Sequence, residues 1–345
     1  MKILVIGRQF PDSFARNISE TFRDMGYDVF TYQESQLFPR LRPVRSLGGD
    51  RVLREIESLL IRGFPKMEER VHRPLLRLVT KIKPDFVLNT YNSIPPWVID
   101  AIKDISGAKV ALWFPDHLAN FGRQYILTSS YDALFFKEPY IVRILKDKLE
   151  LPAYYLPECC NPKWHHRIEL SPQEQRRYGC DLAIAGNMYP WRDKILSQFV
   201  EYDLRIWGDN FPHWLNSPLR GKFQNHFVAE LEKAKAFNAA KIVINTIHYA
   251  EIEGVNCRLF EAAGCGAFQI TDWKECLPEL FCPGEEIITY RTRRELKELV
   301  DYYLAHPEER EKIAIASYER AHRDHTYRNR LNKMLEVLHF VPSHS

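Results

Sequence analysis

The sequence predicts an α/β protein built from two doubly wound parallel sheets, and three observations carry that prediction. Short apolar runs alternate with longer helix-like stretches along the chain, the order of strands and crossover helices in a parallel sheet. The runs fall into two sets, separated by Leu156-Pro157-Glu158-Cys159-Cys160-Asn161-Pro162, where two prolines disfavour continued helix or sheet and suit a hinge. The 345 residues exceed what one hydrophobic core usually organises and suit two domains of ordinary size.

In the first set, strands are expected at Lys2–Ile6, Asp28–Tyr32, Asp85–Asn89, Lys109–Trp113, Ala133–Phe136 and Ala153–Leu156. Each is rich in Val, Ile, Leu or aromatic residues and too short for an average helix. Between the first two, Ser13 to Met25 reads as a helix stopped by Gly26. The second set comprises Asp181–Ala185, Asp203–Trp207, Lys241–Asn245, Ala267–Thr271 and Glu286–Tyr290. After Arg293 the pattern turns helical, with helices expected over Glu295–Ala305, Pro307–Ala321 and Tyr327–His339.

Composition excludes several functions. A net charge of +3 gives no whole-chain attraction for nucleic acid. No run approaches the roughly 18 to 20 apolar residues of a membrane-spanning helix, and Met1-Lys2 leads into too short an apolar run for a signal peptide, so a cytoplasmic protein is expected. Seven cysteines without zinc spacing read as reduced thiols, and the histidines show no HExxH pattern, so no metal is expected. One segment departs from neutrality: Arg40–Lys83 holds twelve Lys/Arg against five acids. It reads as a solvated helical face or as a patch for an anionic partner such as a membrane surface.

The chemistry concentrates at predicted strand ends, where open α/β sheets bind ligands. After the strand ending Ile244-Asn245-Thr246 come a polar loop with His248, then Glu253-Gly254-Val255-Asn256-Cys257-Arg258-Leu259-Phe260-Glu261, and Gly264-Cys265-Gly266 before the next strand. A helix starting near Asn256 offers unpaired N–H groups and a positive dipole end to a diphosphate. Gly254 would let backbone approach closely, Arg258 would add a cation, and Glu261 could accept ribose hydroxyls. Gly186-Asn187 ends another strand, with Arg192 soon after; Trp207-Gly208 ends the next, where an aromatic ring could frame a nucleobase, and His248 could touch phosphate. In the first half, Trp113-Phe114-Pro115-Asp116-His117 brings two candidate general bases to a strand end. Asn89-Thr90-Tyr91-Asn92 is a candidate acceptor contact, and Gly7-Arg8 follows the first strand without a GxGxxG fingerprint.

The run from Ile242 to Tyr327 resembles the C-terminal domain of CgeB-like glycosyltransferases, relatives of the GT-4-type group. The matching pieces are Ile244-Asn245-Thr246, Glu253 through Ala262, Gly264-Cys265-Gly266-Ala267 and His325-Thr326-Tyr327, with weaker similarity back through Asp181–Asn187 and Tyr189-Pro190-Trp191-Arg192. The resemblance implies a GT-B fold: two Rossmann-like domains facing across a cleft, with a C-terminal helix crossing back to the first. It sets the Glu-x7-Glu pattern on Glu253 and Glu261, with Glu261 on the donor ribose, Glu253 facing the donor sugar, and Gly186 and Arg192 on phosphate. Gly7 and Arg8 would face the cleft.

The expectation is therefore a glycosyltransferase moving a sugar from a nucleotide-diphospho-sugar, first of all a UDP-sugar, to a hydroxyl on a glycan, lipid-linked glycan or protein. The expected domains are 1–160 for the acceptor, 161–325 for the donor, and 326–345 as the returning helix. Asp116, His117 and Glu253 are the catalytic candidates. No Asp-x-Asp occurs, which suits a donor site working without metal or other cofactor. Rival expectations are an epimerase or phosphorylase on the same fold, or a non-catalytic spore-coat or assembly protein retaining a nucleotide site.

Overall fold

The computed structural model describes residues 1–33, 56, 59–61, 63–116 and 124–341. Every strand expected from the sequence is present, with shifts of one or two residues at some ends. They are β1 (Lys2–Ile6), β2 (Asp28–Tyr32), β3 (Phe86–Asn89), β4 (Lys109–Phe114), β5 (Ala133–Phe136) and β6 (Ala153–Tyr155), then β7 (Cys180–Ala185), β8 (Leu204–Trp207), β9 (Ala240–Asn245), β10 (Gln269–Asp272) and β11 (Ile288–Tyr290). They form a six-stranded sheet of order β2-β1-β3-β4-β5-β6 and a five-stranded sheet of order β11-β10-β9-β7-β8.

Parallel pairing explains why these strands read as unbroken apolar runs. β1 pairs in parallel with β2 and β3, and Ile3 through Ile6 are wholly buried, as a central strand covered on both faces must be. In the second sheet β7 pairs in parallel with β8 and β9, and β10 with β9 and β11. One face of that sheet packs Leu182, Ile184, Ile206 and Ile244 with Phe199, Leu296 and Val300. The other packs Ala183, Ala185, Trp207 and Val243 with Phe237, Ala262 and Cys265. Neighbouring residues of one strand thus go to opposite cores, the period of two that a pleated strand imposes.

The helices that matter for the site are α1 (Phe14–Asp24), α2 (Pro65–Ile82), α3 (Pro96–Ser106), α4 (Pro139–Leu149), α5 (Pro172–Tyr178), α6 (Pro190–Leu196), α7 (Glu230–Ala239) and α8 (Cys257–Gly264). They are followed by α9 (Leu277–Leu280), α10 (Arg293–Ala305), α11 (Pro307–Asp324) and α12 (Tyr327–Val337). α8 begins where its sequence predicts, because the Asn256 side chain accepts from Leu259 N at 3.3 Å and caps the first turn.

The chain divides into two compact units, Met1–Phe114 with Phe121–Leu134, and Pro115–Asn120 with Phe135–Ser345. Pro157–Pro162 lies inside the second. There Cys160 N donates to His325 O at 2.9 Å, Cys160 O accepts from Tyr327 N at 3.1 Å, and Arg330 Nε donates to Pro157 O at 3.0 Å, so this segment holds the start of α12.

Of the basic segment, Arg40, Arg42, Arg45, Arg51, Arg54 and Arg62 lie outside the described residues. Lys66, Arg70, Arg73, Arg77 and Lys81 stand on the exposed face of α2, with Arg73 paired to Glu69 at 2.8 Å. No helix among the described residues is long and apolar enough to cross a membrane.

Candidate functional site

The order of the second sheet sets the site. β7 and β9 are neighbours, while the chain leaves β7 for β8 on one side and β9 for β10 on the other. That reversal opens a crevice outside the carboxyl ends of β7 and β9. Gly186 follows β7 and Thr246 follows β9, so both stand at its mouth.

Arg192, from the first turn of α6, joins the two strand ends. Its Nε donates to Thr246 Oγ1 at 2.9 Å and its Nη1 to Asn187 O at 2.6 Å, while the guanidinium lies 4.8 Å from the Tyr189 ring centroid. It is only 3% exposed. Arg258 arrives from the first turn of α8. A Cβ placed on Gly186 would lie 2.8 Å from a terminal nitrogen of each guanidinium, so both reach one point. Gly186 also has φ +133°, a conformation that side chains rarely adopt.

The buried Arg192 guanidinium and the half-buried Arg258 guanidinium repel one another, and neither has a carboxylate partner among the described residues. Burial, followed by the charge of Arg258, pushes the Arg192 guanidinium down to about 10. A bridging anion would relieve both effects.

The remaining predicted residues fall into three groups. Asn187, Gly208 and Asn256 shape the crevice through backbone and amide contacts. Asn187 Oδ1 accepts from Asp209 N and Asn210 N at 3.1 Å, and Gly208 lies tight against Gly186 O. Asn245 and Asn256 exchange reciprocal amide bonds at 3.0 Å. His248 rests with its ring centroid 5.2 Å from that of Tyr189 and 4.2 Å from that of Tyr249, its Nδ1 accepting from Ala250 N at 3.1 Å.

A second group belongs to the core or to ion pairs. Val255 is wholly buried against Ile247, Leu259 and Phe260. Trp207 lies in the core, 5.6 Å from Tyr178, with an indole N–H that meets no acceptor. Glu261, 7% exposed, accepts from Lys233 Nζ of α7 at 2.9 Å. Glu253 forms a two-pronged pair with Arg143 of α4 at 2.5 and 2.6 Å, and that partner holds its carboxyl below the usual range.

The third group lies before residue 135. Arg8 and Asp116 are exposed, and His117 lies outside the described residues. Asn89 is wholly buried and spends its amide on Tyr91 O at 2.8 Å and Tyr131 Oη at 2.7 Å. Gly7 is required by packing: a Cβ there would meet Ala15 Cβ and Thr90 Oγ1 at 2.3 Å.

Gly254 has an unexpected neighbour. A Cβ on it would lie 2.6 Å from Lys137 O and 3.1 Å from a Glu138 carboxylate oxygen. The backbone that approaches Gly254 is the chain's own, just beyond β5. Glu138, 2% exposed, accepts from Ile252 N at 2.8 Å and from Glu253 N and Gly254 N at 3.0 Å. Lys137 is buried beside it, 2.7 Å from Glu251 and 3.5 Å from Glu158; burial disfavours its charge, but the two carboxylates outweigh that and raise it. Glu158 is pushed up to about 7 by burial, against the pull of Lys137, with further upward push from Glu251, Glu261 and Asp116. Sequence reasoning passed over these residues. The strand-end rule that found Gly186 finds Lys137-Glu138 as well when it is applied to β5.

Residues 170–336 match the family model described as glycosyl transferase-like. That match takes in most of the second half of the chain. The spore protein CgeB of Bacillus subtilis (strain 168) is 29% identical over 208 residues, 55% of this chain and 62% of that protein, so the chain spans about three fifths of its curated relative. The resemblance read from residues 242–327 therefore stands. Among solved structures, sucrose-phosphate synthase from Thermosynechococcus elongatus superposes with a TM-score of 0.67 at 13% identity, covering 98% of each chain. Anabaena Alr3699/HepE, in complex with UDP and glucose, gives 0.64 at 12% identity, covering 99% of this chain and all of that one. At such identities the likeness is one of fold: two parallel α/β sheets of the GT-B type.

Proposed function

We propose that this chain is a glycosyltransferase using a nucleoside-diphosphate sugar, with the diphosphate held between Arg192 and Arg258 at Gly186. The observation that carries the reading is the pair of converging guanidiniums at the sheet's reversal point, without a carboxylate partner among the described residues. An anion with oxygens on both sides, such as a diphosphate, complements them. The solved relative in complex with UDP and glucose and the glycosyl transferase-like match support the same class; a UDP-sugar is our first choice of donor.

In this reading the bond between the sugar's anomeric carbon and the diphosphate oxygen breaks, and the electron pair leaves with the diphosphate. The guanidiniums stabilise that charge without a metal ion. The anomeric carbon bonds to an acceptor hydroxyl, whose proton passes to a base, for which Asp116 is our candidate. Glu261, steadied by Lys233, takes the ribose hydroxyls. The acceptor is a hydroxyl of a glycan, lipid-linked glycan or protein, and α2's basic face is offered to an anionic surface.

Calorimetry with UDP, GDP, dTDP and CMP, on the parent and on Arg192→Met and Arg258→Met, tests the reading. A bond to a charged group contributes about 1.5–3 kcal/mol, so each variant should weaken diphosphate binding by about 10- to 150-fold. Absence of binding by any of them, or parent-like affinity in both variants, would sink it. Binding without acceptor-dependent release of UDP from a UDP-sugar would favour the non-catalytic alternative.

A further inference from the structure

The loop from Thr246 to Asn256 connects the two halves of the proposed anion site. At one end Thr246 Oγ1 holds Arg192, and at the other Asn256 caps the helix that carries Arg258. The separation of the guanidiniums therefore depends on how this loop is held at its middle.

Residues at and before α4 hold it with three ionic grips. Lys137 takes Glu251, Arg143 takes Glu253 with both prongs, and the Glu138 carboxylate accepts from the N–H groups of Ile252, Glu253 and Gly254. Successive N–H groups converging in this way form an anion-binding nest. Here the nest is filled from within the chain. The same carboxylate accepts from Tyr140 N at 3.2 Å and so caps α4, fixing it in place. Gly254 makes the approach possible, since any side chain would strike Lys137 O.

We propose that Glu138 is a positioning residue of the donor site: it occupies the nest at 252–254 as an internal anion and fixes the loop that sets Arg258 against Arg192. Two consequences follow for specificity. The nest is closed to phosphate, which leaves the guanidinium pair as the seat of the diphosphate. The loop's geometry is also written by residues more than a hundred positions upstream, outside the stretch that matches the family model.

The inference rests on the donor reading above, and the experiment separates the two. UDP affinity is measured by calorimetry for the full-length parent, Glu138→Ala, Glu138→Gln and Gly254→Ala, with and without 100 millimolar acetate (roughly the fragment that Glu138→Ala removes), against chloride at equal ionic strength. Amide hydrogen exchange at 252–254 is followed in parallel. Glu138→Ala should lose at least about tenfold in UDP affinity and the protection of those amides. Acetate should restore affinity several-fold where chloride does not, an effect that a merely destabilised fold would not show. Glu138→Gln, which keeps the volume but turns an NH₂ towards N–H donors, and Gly254→Ala should both fall between the parent and Glu138→Ala. Parent-like affinity in folded Glu138→Ala, or in Glu138→Gln should Glu138→Ala fail to fold, overturns the positioning role while leaving the donor reading intact. A loss that acetate does not relieve also overturns it. A parent that binds none of the nucleoside diphosphates removes the donor reading, and this role with it.

Discussion

The two sheets reverse at equivalent points, between β1 and β3 in one and between β7 and β9 in the other, and opposite chemistry fills the two strand ends. At the first, Gly7 is packed by Ala15 and Thr90, Thr90 Oγ1 donates to Ile6 O at 2.9 Å, and the Asn89 amide is spent on its neighbours. These three residues are neutral and packed or hydrogen-bonded among their neighbours. At the second, two cations converge on a glycine. The contrast extends through the units: among the described residues, every buried Lys, Arg, Asp or Glu lies at or beyond position 137. Burying charge is costly unless it is paired, so the second unit carries a cost that the described residues of the first avoid. The same topology supplies both strand ends, and only the residues beyond them set the two apart.

Placing alanine at the two equivalent glycines is the strongest test. Gly186→Ala adds a Cβ at φ +133° and drives it against both guanidiniums. Strain at that φ should cost about 2 kcal/mol, the guanidinium ends being tips of flexible side chains that can move aside, and nucleoside-diphosphate binding should be lost. Gly7→Ala meets Ala15 and Thr90 without an unfavourable φ, and overpacking alone should cost about 2 kcal/mol, with UDP affinity in the folded fraction unchanged. Denaturant titration with calorimetry measures both pairs of numbers. A Gly7 variant that loses binding at full stability would erase the distinction between the two strand ends.

How much of this was legible in the sequence follows from distance along the chain. The strands were readable because central parallel strands are covered on both faces and become unbroken apolar runs, as in Ile3–Ile6. Gly186 and Arg192 are near neighbours at a strand end, and Asn256 announces its helix by its capping chemistry. Trp207 illustrates the limit. An aromatic residue ending a strand reads as a ring offered to a ligand, but the alternation that sends Ile206 to one core sends Trp207 to the other. The clamp was invisible because Glu138 and Gly254 are 116 residues apart, and Arg143 and Glu253 are 110 apart. Nothing local to either partner declares such a pairing.

Acid should expose the second unit's burial of ionisable groups next. His325 donates through Nε2 to Leu280 O at 2.6 Å and accepts at Nδ1 from Arg330 at 2.9 Å, which fixes a neutral ring. Burial, then Arg330, pushes it down to about 4. The unfolded chain takes up this proton near its ordinary value and the folded chain resists it, so stability is present above about 6.5 and is lost as pH falls towards 4. The loss should reach roughly 2 kcal/mol by pH 4.5, measured by denaturant titration at successive pH values, and should shrink in His325→Gln. An unchanged acid limb in that variant would place the pH dependence elsewhere.

Glu158 should act with the opposite sign and the smallest effect. Its carboxyl is pushed up to about 7, chiefly by burial, so between about 4.5 and 7 the folded chain binds a proton that the unfolded chain has released. Its contribution is complete below 4.5 and is lost as pH rises through 7, the reverse of His325. Removing the charge while keeping the shape, as in Glu158→Gln, should therefore stabilise the protein at pH 8 by about 1 kcal/mol. The gain is kept small because Lys137 loses one of its two carboxylate partners while Glu251 stays at 2.7 Å. The difference between variant and parent should vanish near pH 4.5, where the parent's own carboxyl is protonated. If Glu158→Gln instead destabilises the protein at pH 8, the Lys137–Glu158 attraction outweighs burial, and the second unit's interior is balanced by its ion pairs rather than strained by them.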